Sequence, residues 1–314
     1  MIRRRTLTGA ALTTLATPAF AAGYPDREIT AIVQYAAGGS TDVATRAVLA
    51  EAEKLIGVPV QVINRPGGQG TVGPQTIAAA RPDGYTIGTG GLNSIAVTPH
   101  MLQVSYTPDS FTYLPAYAGF RYGIGVRAES PLRSLEDLIA AGRSRRVTFG
   151  ATGAPNNLGM FALGRMTGAR FQFIPFPSGA EAVTATMGGH VEAVIQAPPE
   201  MLPAIQSGRL RLLASASPDR WDEVPDVPTV REMGHDLVVQ ATVGFVAPRG
   251  LPEDRLRILN EALQRAAQSP NVHAMLLRIG MLPQPMTAEL FERTVRDAYA
   301  SAGPALREAG LARR

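Results

Sequence analysis

Short runs of β-branched and apolar residues alternate along this chain with longer stretches whose apolar positions recur every three to four residues. Residues 30–34 carry the pattern of a short buried strand, and 36–41 form a small, glycine-bearing turn. From Asp42 onward Ala44, Ala47, Val48, Ala52 and Leu55 fall at helical spacing until Gly57 ends the run. A second strand is expected over 58–63, followed by the loop Asn64-Arg65-Pro66-Gly67-Gly68. A short helix over 75–80, a turn at Pro82-Asp83-Gly84 and a strand over 85–88 complete the unit. Strand, helix and strand at this spacing predict a parallel α/β arrangement.

A unit of the same design starts again at 146–149. A strand runs into the loop 150–157, a helix follows over 158–167, and a strand over 173–176 leads through 177–179 into a helix at 180–187. The strand 191–196 closes this unit. Gly38 and Gly153 mark equivalent loops 115 residues apart, an echo of architecture without residue identity. A strand over 243–247, a helix opened by Pro252 with Leu256, Leu259, Leu263 and Ala267 on one face, and a last helix after Thr287 return the chain to the first unit. Leu290, Phe291, Val295 and Tyr299 form the apolar side of that last helix. The expected organisation is two interleaved lobes, 22–122 plus 243–314 and 123–242. The 314-residue length also favours two domains.

Composition narrows the class. An apolar fraction of 45% with 18% charged residues excludes a disordered chain. The lack of cysteine excludes a disulfide framework, a thiolate nucleophile and cysteine zinc sites. Arg3, Arg4 and Arg5, a mildly apolar run over 7–16 and Ala19-Phe20-Ala21 have the three-part layout of a secretory signal, with cleavage expected after Ala21. The run is too short for a membrane-spanning helix. Removing the three arginines leaves 27 Lys+Arg against 26 Asp+Glu, so most of the formal +4 belongs to the signal. The basic cluster Arg143, Arg145, Arg146 lacks interleaved aromatic residues, and no nucleic-acid partner is expected.

Three loops carry the candidate chemistry. Gly38-Gly39-Ser40-Thr41-Asp42 lies between a strand and a helix, where small residues expose backbone and first-turn amides attract an anion; a tight turn with Ser40 or Thr41 as cap is the alternative. The loop 150–157 repeats that geometry with Thr152, Gly153, Asn156 and Asn157. Pro177-Ser178-Gly179 before Ala180 makes a third such end. Gly68-Gln69-Gly70-Thr71-Val72-Gly73 matches a dinucleotide fingerprint, yet Asn93 stands where an acidic ribose ligand belongs, so a turn with close packing is preferred. Asn93 is retained as a candidate ligand-binding residue. His100, His190, His235 and His273 share no metal spacing, so no metal is expected, the unmet fingerprint leaves no cofactor expected, and without a nucleophile elbow a hydrolase has no visible nucleophile.

Several segments in order across the mature chain resemble the Bug-type receptors of tripartite tricarboxylate transporters. They are Tyr24-Pro25-Asp26-Arg27, Gly38-Gly39-Ser40-Thr41-Asp42, Asn64-Arg65-Pro66-Gly67-Gly68 with Gly70 and Gly73, and Arg81-Pro82-Asp83-Gly84-Tyr85. Gly188-Gly189-His190-Val191-Glu192, Val224-Pro225-Asp226-Val227-Pro228-Thr229 and Val246-Ala247-Pro248 continue the series. The resemblance implies an α/β, two-lobed periplasmic-binding-protein fold (type II-like) with a ligand cleft between the lobes and crossover strands as hinge. It implies an exported, monomeric, non-enzymatic receptor that captures a small carboxylate and passes it to a permease of one large and one small membrane subunit.

The chain departs from the family at the binding loops. Gln34-Tyr35 replaces a usual Pro-Phe, Asn156-Asn157-Leu158 stands where a His-bearing pattern is common, and Pro177-Ser178-Gly179 lacks a usual Lys. Tyr35, Phe176 and the Asn pair then suit a dicarboxylate or aromatic acid better than a tricarboxylate. Two other outputs fit the same sequence. A receptor can present its closed form to a sensor kinase, and an exported enzyme would have to use Asp42 or Glu192, whose ordinary roles are helix-start charge matching and strand-edge packing. Replacing Gly39 by Val is expected to abolish ligand binding while leaving the fold intact, since a side chain there covers the amides. Calorimetric titration with circular dichroism checks this, and unchanged affinity would remove the first loop from the site.

Overall fold

The computed structural model describes residues 23–308 together with 312 and 313. The expected export signal and its cleavage after Ala21 lie outside the described residues. In chain order the elements are β1 (Ile29–Val33), α1 (Ser40–Ile56), β2 (Val60–Asn64), α2 (Val72–Ala78), β3 (Thr86–Gly91) and a π-helical segment (Leu92–Val97). Next come β4 (Phe111–Arg121), β5 (Gly123–Arg127), α3 (Leu135–Ser144), β6 (Arg146–Ala151), α4 (Asn156–Thr167), β7 (Arg170–Pro175) and α5 (Gly179–Met187). The remainder is β8 (Ala193–Gln196), α6 (Pro198–Gln206), β9 (Leu210–Ser215), β10 (Gln240–Pro248), α7 (Glu253–Ala267), α8 (Pro270–Arg278), β11 (Leu282–Met286) and α9 (Ala288–Glu308).

The strands form two mixed sheets, β11-β4-β10-β3-β1-β2 and β7-β6-β8-β5-β9. Within the first, β2 and β3 flank β1 in parallel, whereas β10 runs antiparallel to both β3 and β4. Within the second, β7 and β8 flank β6 in parallel and β5 is antiparallel to β8 and β9. Parallel strands require helical crossovers, and these cover the sheet faces. On the first sheet one core gathers Leu49, Leu114, Phe245 and Leu263 against α1, α7 and α8, and a second gathers Ile77, Tyr113, Phe291 and Val295 under α2 and α9. The second sheet is covered likewise, with Phe149, Leu138 and Leu163 in one core and Met201, Leu212 and the single Trp221 in the other.

Only Tyr122 separates β4 of the first sheet from β5 of the second. The chain returns along 216–239 into β10. These two crossings are bonded to each other, the Ala216 amide donating to the Tyr122 carbonyl at 2.8 Å and the Tyr122 amide to Ser217 Oγ at 2.9 Å, while the Val239 amide donates to the Ala216 carbonyl at 2.6 Å within the returning segment. A narrow pair of backbone crossings joining two separately packed cores is the geometry of a hinge. The strand expected over 243–247 begins earlier, at Gln240, because its first residues pair with the end of β4 (Gln240 opposite Arg121). The strand expected over 85–88 likewise extends to Gly91, held by Val243 of β10.

Gly244 sits where β10 crosses β4 beneath α9. A Cβ at that position would stand 2.6 Å from Phe291 Cε1 and 2.7 Å from Ala116 Cα, closer than packed atoms approach. Gly244→Ala should destabilise the protein by about 1–3 kcal/mol through overpacking, seen as a lower midpoint of thermal unfolding. An unchanged midpoint would show that this crossing tolerates expansion.

Candidate functional site

At their C-terminal ends β1, β6 and β8 release the chain into loops that start α1, α4 and α6, and β7 does the same for α5. These ends face a cavity of about 40 Å³ between the two sheets. That volume holds only a few waters or a small polar group, so the lobes stand closed around it. A cleft at the carboxyl ends of parallel strands is the general binding place of open α/β sheets.

The wall from the first sheet is built by the loop after β1, the start of α1 and the π-helical segment after β3. Gln34, Tyr35, Gly39, Ser40 and Thr41 line the cavity together with Asn93. Gly39 precedes α1 in extended backbone, without a side-chain cap. The first-turn amides of α1 therefore lack acceptors inside the helix and point at the cavity end. A Cβ on Gly39 would lie 3.3 Å from the Ala36 carbonyl oxygen, so a valine there forces a small backbone adjustment as well as covering the amides. The Asn93 carboxamide donates to the Tyr35 hydroxyl, and Ser94 Oγ donates to Gln34 Oε1 at 3.0 Å. These bonds fix the orientation of both side chains that replace the family's Pro-Phe. Burial pushes the Tyr35 phenol well above its ordinary pKa, so it stays a neutral donor.

The opposite wall supplies Thr152, Ala154, Ser178, Gly179, Gln196, Ala197 and Glu200. Ser178 Oγ accepts from the Glu181 amide at 3.3 Å and caps α5, leaving the amides of Gly179 and Ala180 without intrahelical acceptors. Phe120, Tyr122, Ala241, Thr242 and Val243 from the strands at the crossing form the floor. Sequence patterning missed this floor and the Gln196–Glu200 wall. The signal was available in part: Gln196 ends a buried strand, and Ala197-Pro198-Pro199 opens a helix with prolines in its first turn.

Eight sequence candidates thus line the cavity: Tyr35, Gly39, Ser40, Thr41, Asn93, Thr152, Ser178 and Gly179. The rest are placed elsewhere. Gly38 and Ala180 lie on an outer groove between α1 and α5. Asp42 is buried and faces away, accepting from the Gly38 amide at 2.9 Å, Arg46 Nε at 3.0 Å and Asn64 Nδ2 at 2.9 Å. Glu192 stands at the far end of the sheet, paired with Arg145 at 2.5 Å and accepting from the Thr148 amide. The hydrogen bond and charge of Arg145 hold its carboxyl below the ordinary range. Asn156 Nδ2 donates to the Ile195 carbonyl at 3.0 Å and ties α4 to β8. Asn157 is buried beside it in the first turn of α4 and is not among the cavity-lining residues. Phe176 packs over Gly150. Gly153, at φ 141°, lets Gln69 of the other lobe approach to where a Cβ would stand 2.9 Å away. The Gly68-to-Gly73 segment forms a tight turn into α2, and Gly73 packs directly on the Gln34 backbone, in keeping with the close-packing reading.

Two lobes joined by paired crossings, with helix starts converging on a cavity, define a solute-binding protein. The chain belongs to the tripartite tricarboxylate transporter family of receptors, whose TctC family model matches residues 44–311. It is 30% identical over 308 residues to Protein BugT of Bordetella pertussis, covering 94% of this chain and 93% of that one. Among solved structures, MatC from Rhodopseudomonas palustris with bound malate is 27% identical at a TM-score of 0.82, covering 90% of this chain and 99% of that one. The R. palustris protein Rpa4515 with adipate is 26% identical at a TM-score of 0.85, covering 92% and 99%.

Asp42 yields a pH prediction. Burial opposes its charge, but the bonds from Arg46, the Gly38 amide and Asn64 prevail and hold the carboxyl below 3.8. Stability from a depressed carboxylate is complete above the unfolded value and disappears as pH falls through the folded one. The wild type should therefore exceed Asp42→Asn in stability above pH 3.8, with the difference shrinking below it, in denaturant melts across pH. A difference that does not change with pH would assign Asp42 no charge-dependent role.

Proposed function

We propose that this protein is a periplasmic receptor that captures a small carboxylate by closing its two lobes and delivers it to a membrane permease of one large and one small subunit. The observation that carries the reading is the convergence of helix starts from both lobes on a cavity whose lining, among the described residues, includes no Lys, Arg or His. Oriented amides and neutral donors then supply the attraction for an anion. Two relatives of the same fold hold malate and adipate, which supports a dicarboxylate as the first class to test. The aromatic residues Tyr35, Phe120 and Tyr122 around the cavity support an aromatic acid as the second.

Closure is the mechanism of capture. Groups from one lobe alone satisfy half of the ligand, so the closed form gains most from binding and its population rises. A permease that distinguishes closed from open receptors reads that shift. The carboxylates first considered as bases, Asp42 and Glu192, are paired with Arg46 and Arg145 and are not among the cavity-lining residues, which supports neither in a catalytic role. The signal-like segment 1–21 supports export.

Titration calorimetry on ligand-stripped protein with malate, adipate and benzoate tests the reading. At least one acid should bind with micromolar affinity, about 8 kcal/mol. Silence across a broad panel of mono-, di- and aromatic carboxylates would overturn it. Accumulation of a chemically altered acid, seen by mass spectrometry, would favour an enzyme instead.

A further inference from the structure

Among the described residues lining the cavity Glu200 is the single carboxylate, and no basic side chain accompanies it there. It stands in the first turn of α6, on the second-sheet lobe, and reaches across the cleft: its Oε1 accepts from the Ser40 amide at the start of α1 at 3.2 Å. One of the amides available to an incoming anion is thus already occupied by the protein's own carboxyl. Among the described residues the other oxygen, Oε2, is buried without a hydrogen-bond partner, and so is Nε2 of Gln196, a residue only 3% exposed. A Cβ built on Gly179 would lie 2.7 Å from Glu200 Cγ and 2.9 Å from Gln196 Oε1, so the two side chains meet at one spot on the wall.

The surroundings do not neutralise an ionised Glu200. On α1, Asp42 and Arg46 pair with each other. On α5, Glu181 accepts from the Ser178 hydroxyl. Arg209 donates to Ser207, and Arg211 on β9 donates to the Leu132 and Ala128 carbonyls. The remaining titratable neighbours, Tyr35 and Tyr122, are kept neutral by burial. Burial likewise raises the Glu200 carboxyl above its ordinary range, despite the bonds from Ser40. A ligand carboxylate placed against an ionised Glu200 would add a second negative charge in a site of low dielectric, at substantial cost. A proton on Oε2 removes that conflict. Oε1 continues to accept from Ser40, and Oε2–H becomes a free donor on a side chain that lines the cavity together with Gln196, whose amide nitrogen is also unpartnered among the described residues.

Resting on the carboxylate reading of the site, we propose that Glu200 is a specificity-determining residue that grips the ligand in its neutral form, donating Oε2–H to a carboxylate oxygen next to Gln196 Nε2–H. Where Glu200 is ionised in the free receptor, the proton comes from solvent, so capture of the anion takes up one proton. Lobe closure, the Ser40 contact and ligand charge are thereby linked through one side chain.

The test uses the full mature protein, with malate and adipate as probes, titrated from about pH 5 to 9 in buffers of different ionisation enthalpy. Affinity should be level at low pH and fall about tenfold per pH unit above the Glu200 midpoint, with matching proton uptake. In E200Q, whose amide both accepts from Ser40 and keeps a donor at every pH, the pH dependence and the proton uptake should reduce to those of the probes' own carboxyl groups at the acid end. At the alkaline end this variant should bind at least about tenfold more tightly than wild type. Weaker binding by E200Q at every pH, or a wild-type affinity indifferent to pH, would overturn the proposal. So would tighter binding of the zwitterion aspartate without proton uptake, since that assigns an ionised Glu200 to an ammonium group. A ligand-free readout separates this proposal from the carboxylate reading. In glutamate-labelled protein, the δ-carbon resonance missing from E200Q should titrate above the other glutamates in the NMR spectrum. Titration with the others overturns the Glu200 role, whereas failure of both probes to bind with a raised Glu200 bears on the ligand class alone.

Discussion

An α-helix that starts without a side-chain cap leaves amides needing an acceptor, and the architecture of this receptor follows from where α1 does so. Gly39 brings the chain into α1 without a cap, and the free amides end at the cleft between two sheets. Their deficit has to be met by solvent, by a ligand or by the protein. The closed structure meets part of it with Glu200, a carboxyl from the opposite lobe. An anion bound there satisfies the same demand. In the proposed reading the receptor binds charge with dipoles, and its selectivity lies in the shape and hydrogen-bond polarity of the wall rather than in a fixed cation.

That arrangement depends on the scaffold at the crossings. Each lobe has its own cores on both faces of its sheet, so relative motion costs little inside either lobe. The bonds among Tyr122, Ala216, Ser217 and Val239 hold the two crossing segments together, and Tyr122 and Thr242 from this region also line the cavity. The hinge and the floor of the site thus share Tyr122 and adjoin where Val239 runs into β10. In the proposed mechanism a ligand resting on that floor contacts the segment about which the lobes close.

Much of this was legible in the sequence where the pattern is local. The β1–α1 unit, the loop 150–157 and the Ser178 cap follow from apolar spacing and turn chemistry, and together with Asn93 they account for the eight candidates that meet at the cavity. The side of the helix start on which a polar residue falls was not legible. Asp42 and Ser40 are two positions apart in α1, yet Ser40 faces the cleft and Asp42 the Arg46–Asn64 cluster. Glu192 has a carboxylate's chemistry but lies at the wrong end of its strand, a matter of strand direction that a single residue does not show. The Gln196–Glu200 wall comes from strand β8 meeting α6 across the cleft from α1, a long-range juxtaposition no local period encodes. The sheet pairing that stretches β10 back to Gln240 is tertiary in the same way.

Capture as proposed closes two lobes on one anion. The cysteine-free chain allows a spin label to be placed in each lobe without background, at Leu55→Cys on α1 and Met166→Cys on α4, where the native side chains are 41% and 52% exposed. Pulsed electron resonance then reads the distance distribution between them with and without the carboxylate selected by calorimetry. A broad or displaced distribution is expected for the free receptor, collapsing onto a single, narrow separation at saturating ligand. Identical distributions in the two states, at a concentration where calorimetry shows full occupancy, would contradict it.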